Sequence, residues 1–552
     1  MSLQEPIAPK GSVIADRDWW RGAVIYQIYP RSFQDSNGDG IGDLAGIVQR
    51  LDHVASLGAD AIWISPFFRS PMKDFGYDVS DYCDVEPIFG TLEDFDAVIE
   101  KAHRLGIRVL VDLVLSHSSN QHPWFVESSA DRENPKADWY VWADPKPDGT
   151  PPNNWLSIFG GSAWEWSTRR KQYYLHNFLS EQPDLNFHNP DVRRAAFDIA
   201  RFWLDRGVDG FRLDALNFYF HDSELRDNPA LPEERQNDSI APSVNPYNYQ
   251  EHIFDRNRPE NLEFVAEFRQ LLDEYGAIAL GEIGDAQIGL ELIGRYTRGD
   301  DHIQMCYAYD FLSPTPPTAS HVAEVIANIE AAAPEGWVCW AFSNHDAMRH
   351  VSRWNLGNEA QRLMILLMMC LRGSATIYQG EELGLPEAEI RFEDLQDPYG
   401  KRFWPDFKGR DGCRTPMAWL YDAAHAGFST ASRTWLPLGA GHEMRAVSVQ
   451  HDKPDSLLNH YRDAIALRRR EPALRKGALV DLAVDGSLLS FRRVFEGNEM
   501  HCVFNLSDTA AEFRSPDGSV EPVSPNAAIL PSNGPAIITL PPWEAFLMRE
   551  KA

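Results

Sequence analysis

The feature that most limits the fold is a recurrence: a short apolar run, a stretch with helical periodicity, then another apolar run. Eight such runs can be read, at Ala23–Tyr29, Ala61–Ser65, Val109–Val114, Gly207–Asp214, Ala277–Glu282, Ile303–Tyr309, Trp337–Ser343 and Ala375–Tyr378. Unbroken apolarity, rather than alternation, is what a strand buried on both faces requires. Between the runs the period shifts to that of a helix. Val192, Ala195, Ala196, Ile199 and Trp203 line one face of a helix leading into the fourth run. Eight buried strands alternating with helices predict an α/β fold, a (β/α)8 TIM barrel with its site at the C-terminal ends of the strands.

Charge appears where those runs end. In Gly207-Val208-Asp209-Gly210-Phe211-Arg212-Leu213-Asp214 the strand closes with Arg212 and Asp214 two positions apart, on the same side of a strand. An arginine beside a carboxylate holds it ionised and lowers its pKa, which readies it as a nucleophile. On their own these two residues equally suit a structural ion pair. Two further acids change the balance: Glu282 closes the fifth run, and Asp346 follows the seventh in Ser343-Asn344-His345-Asp346. Acetal hydrolysis needs one ionised and one protonated carboxylate across the scissile bond; about 5–5.5 Å apart they act by double displacement with retention. Asp214 is the candidate nucleophile. Glu282, with no cation adjacent in sequence, is the candidate general acid, and Asp346 the candidate stabiliser of developing positive charge. His117 and His345, at strand ends beside the acids, are candidate donors to sugar hydroxyls.

The 552 residues exceed one small core, and the formal net charge of −29 argues against nucleic acid or anionic membrane as partners. Six scattered cysteines form no CxxC pair and read as buried thiols in a reducing compartment. Met1–Asp18 carries no signal-peptide pattern and no run is long enough to span a membrane, so a cytoplasmic setting is expected. The expected organisation is a catalytic barrel from residues 1–116 and 185–474, an inserted subdomain at 117–184, and a C-terminal antiparallel β-sandwich at 475–552. Long connections at Phe218–Asn261 and Glu381–Trp419 leave from the same face as the acids.

The stretches Asp112–His117, Gly210–Asp214, Gly281-Glu282, Ser343–Asp346 and Gln182-Pro183-Asp184-Leu185-Asn186 together resemble the α-glucosidases of the α-amylase superfamily, of the oligo-1,6-glucosidase and maltase group. The resemblance covers nearly the whole chain. It implies Asp214 as nucleophile, Glu282 as acid/base and Asp346 as transition-state stabiliser. In Asp74-Phe75-Gly76-Tyr77-Asp78 it implies that Asp74 grips a terminal glucose and Tyr77 stacks on it. In Gly412–Met417 it implies that Arg414 joins Asp74 at the non-reducing end, giving an exo-acting enzyme. Phe159 and Phe178 either flank the sugar or belong to the core. Ala215, directly after the nucleophile, accompanies α-1,4 preference in similar enzymes, so maltose-like substrates and glucosyl transfer to sugar or alcohol acceptors are expected. A trehalose synthase or a sucrose-cleaving relative of the same fold is the alternative. A non-catalytic binding subunit would be expected to have lost catalytic acids. A monomer or a homodimer is equally compatible with the sequence.

Asp35, Asn37, Asp39 and Asp43, with the Ile41 carbonyl, place oxygens around a loop after the first strand. Hard divalent cations favour such oxygens, and Gly40 sits where an EF-hand loop turns, although position twelve is Gly46 rather than Glu. The resemblance implies structural Ca2+ or Mg2+ here, remote from catalysis. Ser116 stands where many α-amylases carry a calcium-binding asparagine.

Overall fold

The computed structural model describes residues 16–237, 240–307, 309–514, 520–523 and 537–550. The N-terminal reading therefore falls largely outside the described residues. Eight parallel strands form one sheet: β1 Val24–Ile28, β2 Ala61–Ile64, β3 Arg108–Leu113, β4 Gly210–Leu213, β5 Ile278–Glu282, β6 Met305–Tyr307, β7 Cys339–Ala341 and β8 Ser374–Tyr378. Each lies within one of the predicted runs or overlaps it. The order is β6-β5-β4-β3-β2-β1-β8-β7, and a parallel bridge between Cys306 and Val338 spans the remaining seam between β6 and β7. The sheet is thus a (β/α)8 barrel. Nearly every strand residue is buried, which is why the sequence reads as apolar runs without alternation.

Local chemistry sets the helices between strands. Leu92–Arg104 starts in a reciprocal capping box between Thr91 and Asp94, and Pro190–Asp205 starts at an Asn189 cap with proline in its first turn. The latter buries Val192, Ala196, Ile199 and Trp203 against the barrel, the predicted face. No described helix is long and apolar enough to cross a membrane, and all six cysteines are unpaired.

Between β3 and β4 the chain leaves the barrel for a three-stranded antiparallel sheet in the order Trp142–Ala143, Gln172–Leu175, Trp164–Ser167. Trp155 and Trp164 pack in its core, and bridges from His117 to Asp184 and from Tyr140 to Leu185 fasten its base. After the helix Leu457–Arg470, antiparallel strands take over. A five-stranded sheet faces a two-stranded one, Ala511–Arg514 with Ile537–Leu540, across Leu488, Val503, Leu540, Phe546 and Met548. Its hairpin turns at Glu496 and Gly497, whose φ values of 46° and 80° match a two-residue primed turn, and the next strand begins at Asn498.

Candidate active site

The catalytic-face ends of the strands open into a cavity of about 500 Å³. Asp74, Tyr77, His117, Phe159, Phe178, Asp214, Glu282 and Asp346 all line it. The parallel register explains how the acids meet. Arg212 of β4 is level with Asp112 of β3 and Leu280 of β5, so side chains near the ends of three strands converge. Arg212 is fully buried. Its Nη1 donates to Asp112 Oδ1 at 2.8 Å and Asp214 Oδ1 at 2.5 Å, and its Nη2 lies 2.6 Å from Glu282 Oε2 and donates to Tyr307 Oη at 2.9 Å.

One guanidinium therefore serves three carboxylates, which corrects two expectations. Glu282 does have an adjacent cation, brought by register rather than by sequence. It also accepts from the Ala215 N–H at 3.0 Å, Tyr307 Oη at 3.1 Å and Tyr309 Oη at 2.7 Å. Asp214 is not held below the usual carboxylate range: burial pushes it well above, the Glu282 and Asp112 charges add to that, and the shared Arg212 only partly opposes them. Ala215 makes its contact from a left-handed backbone, φ 43°, that turns the chain sharply after Asp214.

Asp346 sits in the opposite electrostatic setting. Burial alone pushes its pKa up, but His345, Arg410 and Arg414 together hold it well below the usual range. His345 is fully buried and does not line the cavity, so the predicted contact with sugar is corrected. Its Nε2 instead lies 2.5 Å from Tyr77 Oη and 3.1 Å from Asp346 Oδ2, and its ring stacks parallel to Tyr77 at 5.3 Å. His117, pushed down to about 4 by burial, is a neutral group whose Nε2 is 2.9 Å from the Tyr77 carbonyl.

The surroundings of Asp74 bring a fourth correction. Arg414 does not reach Asp74; its Nη2 donates to Asp346 Oδ1 at 2.7 Å and its Nε to the His345 carbonyl at 2.7 Å. The cation on Asp74 is Arg410, a residue the sequence reading does not single out. Its Nη2 donates to Asp74 Oδ1 at 2.8 Å and to Asp397 Oδ1 at 2.8 Å, and its Nη1 to Asp346 Oδ1 at 3.1 Å. Arg410 lines the cavity and Arg414 does not. Gln182, from the fifth quoted motif, completes the grip by donating to Asp74 Oδ2 at 3.2 Å. Phe159 and Phe178 are wall as well as core, with Tyr399 stacked on Phe159 at 4.7 Å.

A barrel carrying these acids can be compared with known proteins. The family model described as alpha amylase, catalytic domain, matches residues 27–477. The chain belongs to the α-amylase family. A probable alpha-glucosidase of Rhizobium meliloti (strain 1021) is 62% identical over 542 residues, covering 97% of each chain. Among solved structures, the alpha-glucosyl transfer enzyme XgtA matches with a TM-score of 0.93 at 53% identity, over 97% of this chain and 99% of its own. The trehalulose synthase MutB from Pseudomonas mesoacidophila matches with a TM-score of 0.85 at 33% identity, over 97% of this chain and 99% of its own. Within this α-amylase family member, the Asp35 loop holds the predicted metal donors. Asp35 accepts from the N–H groups of Asn37, Gly38 and Gly40 and from the Ser429 hydroxyl, and Asp43 accepts from Ser36 and caps the following helix at Gly46. Asn37 and Asp39 accept from Asp39 and Ile41 in turn. The donors are all oxygen, but among the described residues no grouping of three His, Cys, Asp or Glu side chains is placed to share a metal ion.

Proposed function

We propose that this chain is a retaining, exo-acting α-glucosidase that releases glucose from the non-reducing end of short α-1,4-glucosides and transfers it to hydroxyl acceptors. The observation that carries the reading is the shared guanidinium: Asp214 and Glu282 sit on adjacent nitrogens of Arg212 and line one cavity with the Asp74–Arg410 ion pair. An Asp214 oxygen attacks the anomeric carbon while Glu282 gives its proton to the departing glycosidic oxygen. Glu282 then takes a proton from water, and the water oxygen displaces the Asp214 carboxylate. An alcohol or sugar hydroxyl intercepts the same intermediate, which yields transfer. The Asp74–Arg410 pair supports exo action, because a charged pair bonded to the last hydroxyls of the sugar favours a chain end over a longer chain. Ala215 supports the α-1,4 preference.

Glucose release from maltose, isomaltose, sucrose and trehalose, with products resolved, tests the reading. Maltose is expected to be the fastest, with larger oligosaccharides at high sugar concentration; much faster release from isomaltose overturns the linkage preference. The second reading is a sugar-rearranging enzyme, favoured by the likeness to a trehalulose synthase. Conversion of a disaccharide to its isomer without free glucose would establish it instead.

The Asp35 loop is proposed as a structural Ca2+ or Mg2+ site, with Asp35, Asn37, Asp39, Asp43 and the Ile41 carbonyl as ligands and no part in the chemistry. Binding exchanges backbone N–H partners for the cation. A chelator is expected to lower Tm by several degrees, since a ligand that binds only the folded state stabilises it; an unchanged Tm removes the metal from the account. A reducing cytoplasmic setting accords with the six unpaired cysteines, and a monomer or homodimer is proposed.

A further inference from the structure

The connection between β4 and the helix Asn261–Tyr275 has no shape legible in the sequence. In the structure its last part folds back beneath the two catalytic loops. Arg256 is 4% exposed, and its Nη1 donates to the Gly284 carbonyl at 2.9 Å, two residues beyond Glu282. Its Nη2 lies 3.2 Å from Asp285 Oδ2, and its guanidinium lies over the Phe218 ring at 5.3 Å. Asn257 donates to Asp285 Oδ2 at 2.6 Å and accepts from Asn217 Nδ2 at 2.7 Å. Asn217, three residues after Asp214, accepts from the Gly284 N–H at 3.2 Å. Asp285 in turn caps the backbone at Gln287 and Ile288, where the next helix begins. Gly284 and Phe218 both line the catalytic cavity.

We infer that Arg256 and Asn257 are positioning residues that fix the loop after Glu282 against the loop after Asp214, and so set the placement of the acid/base relative to the nucleophile. Neither touches the cavity. Their effect passes through the Gly284 backbone, whose carbonyl accepts from Arg256 and whose N–H donates to Asn217, and through the hydrogen-bonded chain Asn217–Asn257–Asp285 that joins the two loops. Backbone held from two sides has little freedom, and a displacement of about 1 Å in a reacting group costs about 10²-fold in rate. This inference rests on the proposed roles of Asp214 and Glu282.

A misplaced acid/base leaves a signature that a general loss of structure does not. Poor leaving groups, such as the glucose of maltose, need the proton; 4-nitrophenolate does not. Arg256→Met keeps volume without the charged fork. Asn257→Gly removes the amide while permitting the native φ of 61°. Both variants are expected to lower kcat on maltose by about 10²-fold, with KM within about threefold and a much smaller loss on 4-nitrophenyl α-glucoside. Added azide, which attacks the anomeric carbon and displaces the Asp214 carboxylate without a general base, should restore part of the aryl-glucoside rate. Glu282→Gln serves as the control. If it shows this leaving-group dependence and the other two variants do not, the positioning inference falls while the site reading stands. If Glu282→Gln itself turns over maltose normally, the reading of Glu282 falls and the inference with it. Should Arg256→Met fail to fold, Asn257→Gly alone decides the matter.

Discussion

Asp214→Asn is expected to lower kcat on maltose by about 10⁴-fold or more, a barrier increase of over about 5 kcal/mol, while leaving the fold intact. The amide has the carboxylate's shape and retains an oxygen that can accept from Arg212 Nη1, so the buried cation keeps a partner. What disappears is the anionic oxygen that forms the bond to the anomeric carbon. The wild-type enzyme, treated with a fluorinated glucosyl fluoride that slows hydrolysis of the intermediate, should carry the sugar on the peptide containing Asp214. A label on another acid, or a variant retaining more than about a tenth of the activity, assigns the nucleophile elsewhere.

The pH dependence follows from the same burial. As the proposed nucleophile, Asp214 acts only when ionised, and its pKa in the folded enzyme is raised by burial and by the neighbouring Glu282 and Asp112 charges. The acid limb of kcat/KM should therefore lie well above the ordinary aspartate value of about 3.9, with activity lost as pH falls through the raised value. Asp346, held low by His345, Arg410 and Arg414, stays ionised throughout this range and contributes no limb of its own. An acid limb at or below the ordinary aspartate value contradicts the dominance of burial over Arg212.

How legible these features are in the sequence depends on whether the relevant forces act locally. Barrel strands are buried on both faces, so each announces itself as an apolar run, and an acid at its end stands out against that background. Asp214, Glu282 and Asp346 are visible for this reason. Contacts across strands are less visible. The pairing of Arg212 with Glu282 depends on the register that sets Arg212 level with Leu280. Aligning the runs by their ends would expose it, since Glu282 stands two residues beyond Leu280 on the same side of the strand. Arg410 gives less signal still. It lies in an irregular loop behind Gly409, four residues from the arginine of the recognised motif, and its partner Asp74 is 336 positions away. The segment that presents Arg256 is built from short turns and side-chain hydrogen bonds without periodicity, and Pro246–Tyr249 is only one turn of tight helix.

Removing Arg410 is expected to damage stability and catalysis together. Asp397 is fully buried and Asp74 nearly so, and Arg410 bonds both while also reaching Asp346. Arg410→Met leaves these carboxylates facing one another with their common cation gone. Breaking a buried pair on one side typically costs about 3–5 kcal/mol, because the remaining charge is neither solvated nor paired. Asp74 keeps Gln182 and Asp346 keeps Arg414, but Asp397 loses its only guanidinium among the described contacts. The guanidinium also lies over the Phe159 ring at 5.1 Å, so the cavity wall loses its anchor along with the charge. Denaturant unfolding should show the stability loss, and kcat/KM on maltose should fall by at least about 10²-fold, since charge-assisted bonds to the terminal hydroxyls are the strong ones. Arg410→Lys, a point charge without the fork, should recover part of the stability but little of the specificity. Arg414→Met separates the two arginines. Its cation reaches Asp346 but not Asp74, so it should weaken transition-state stabilisation while preserving selection for the non-reducing end. If Arg414→Met were the variant that lost end selection and Arg410→Met kept it, the assignment of Arg410 to the non-reducing end would be wrong.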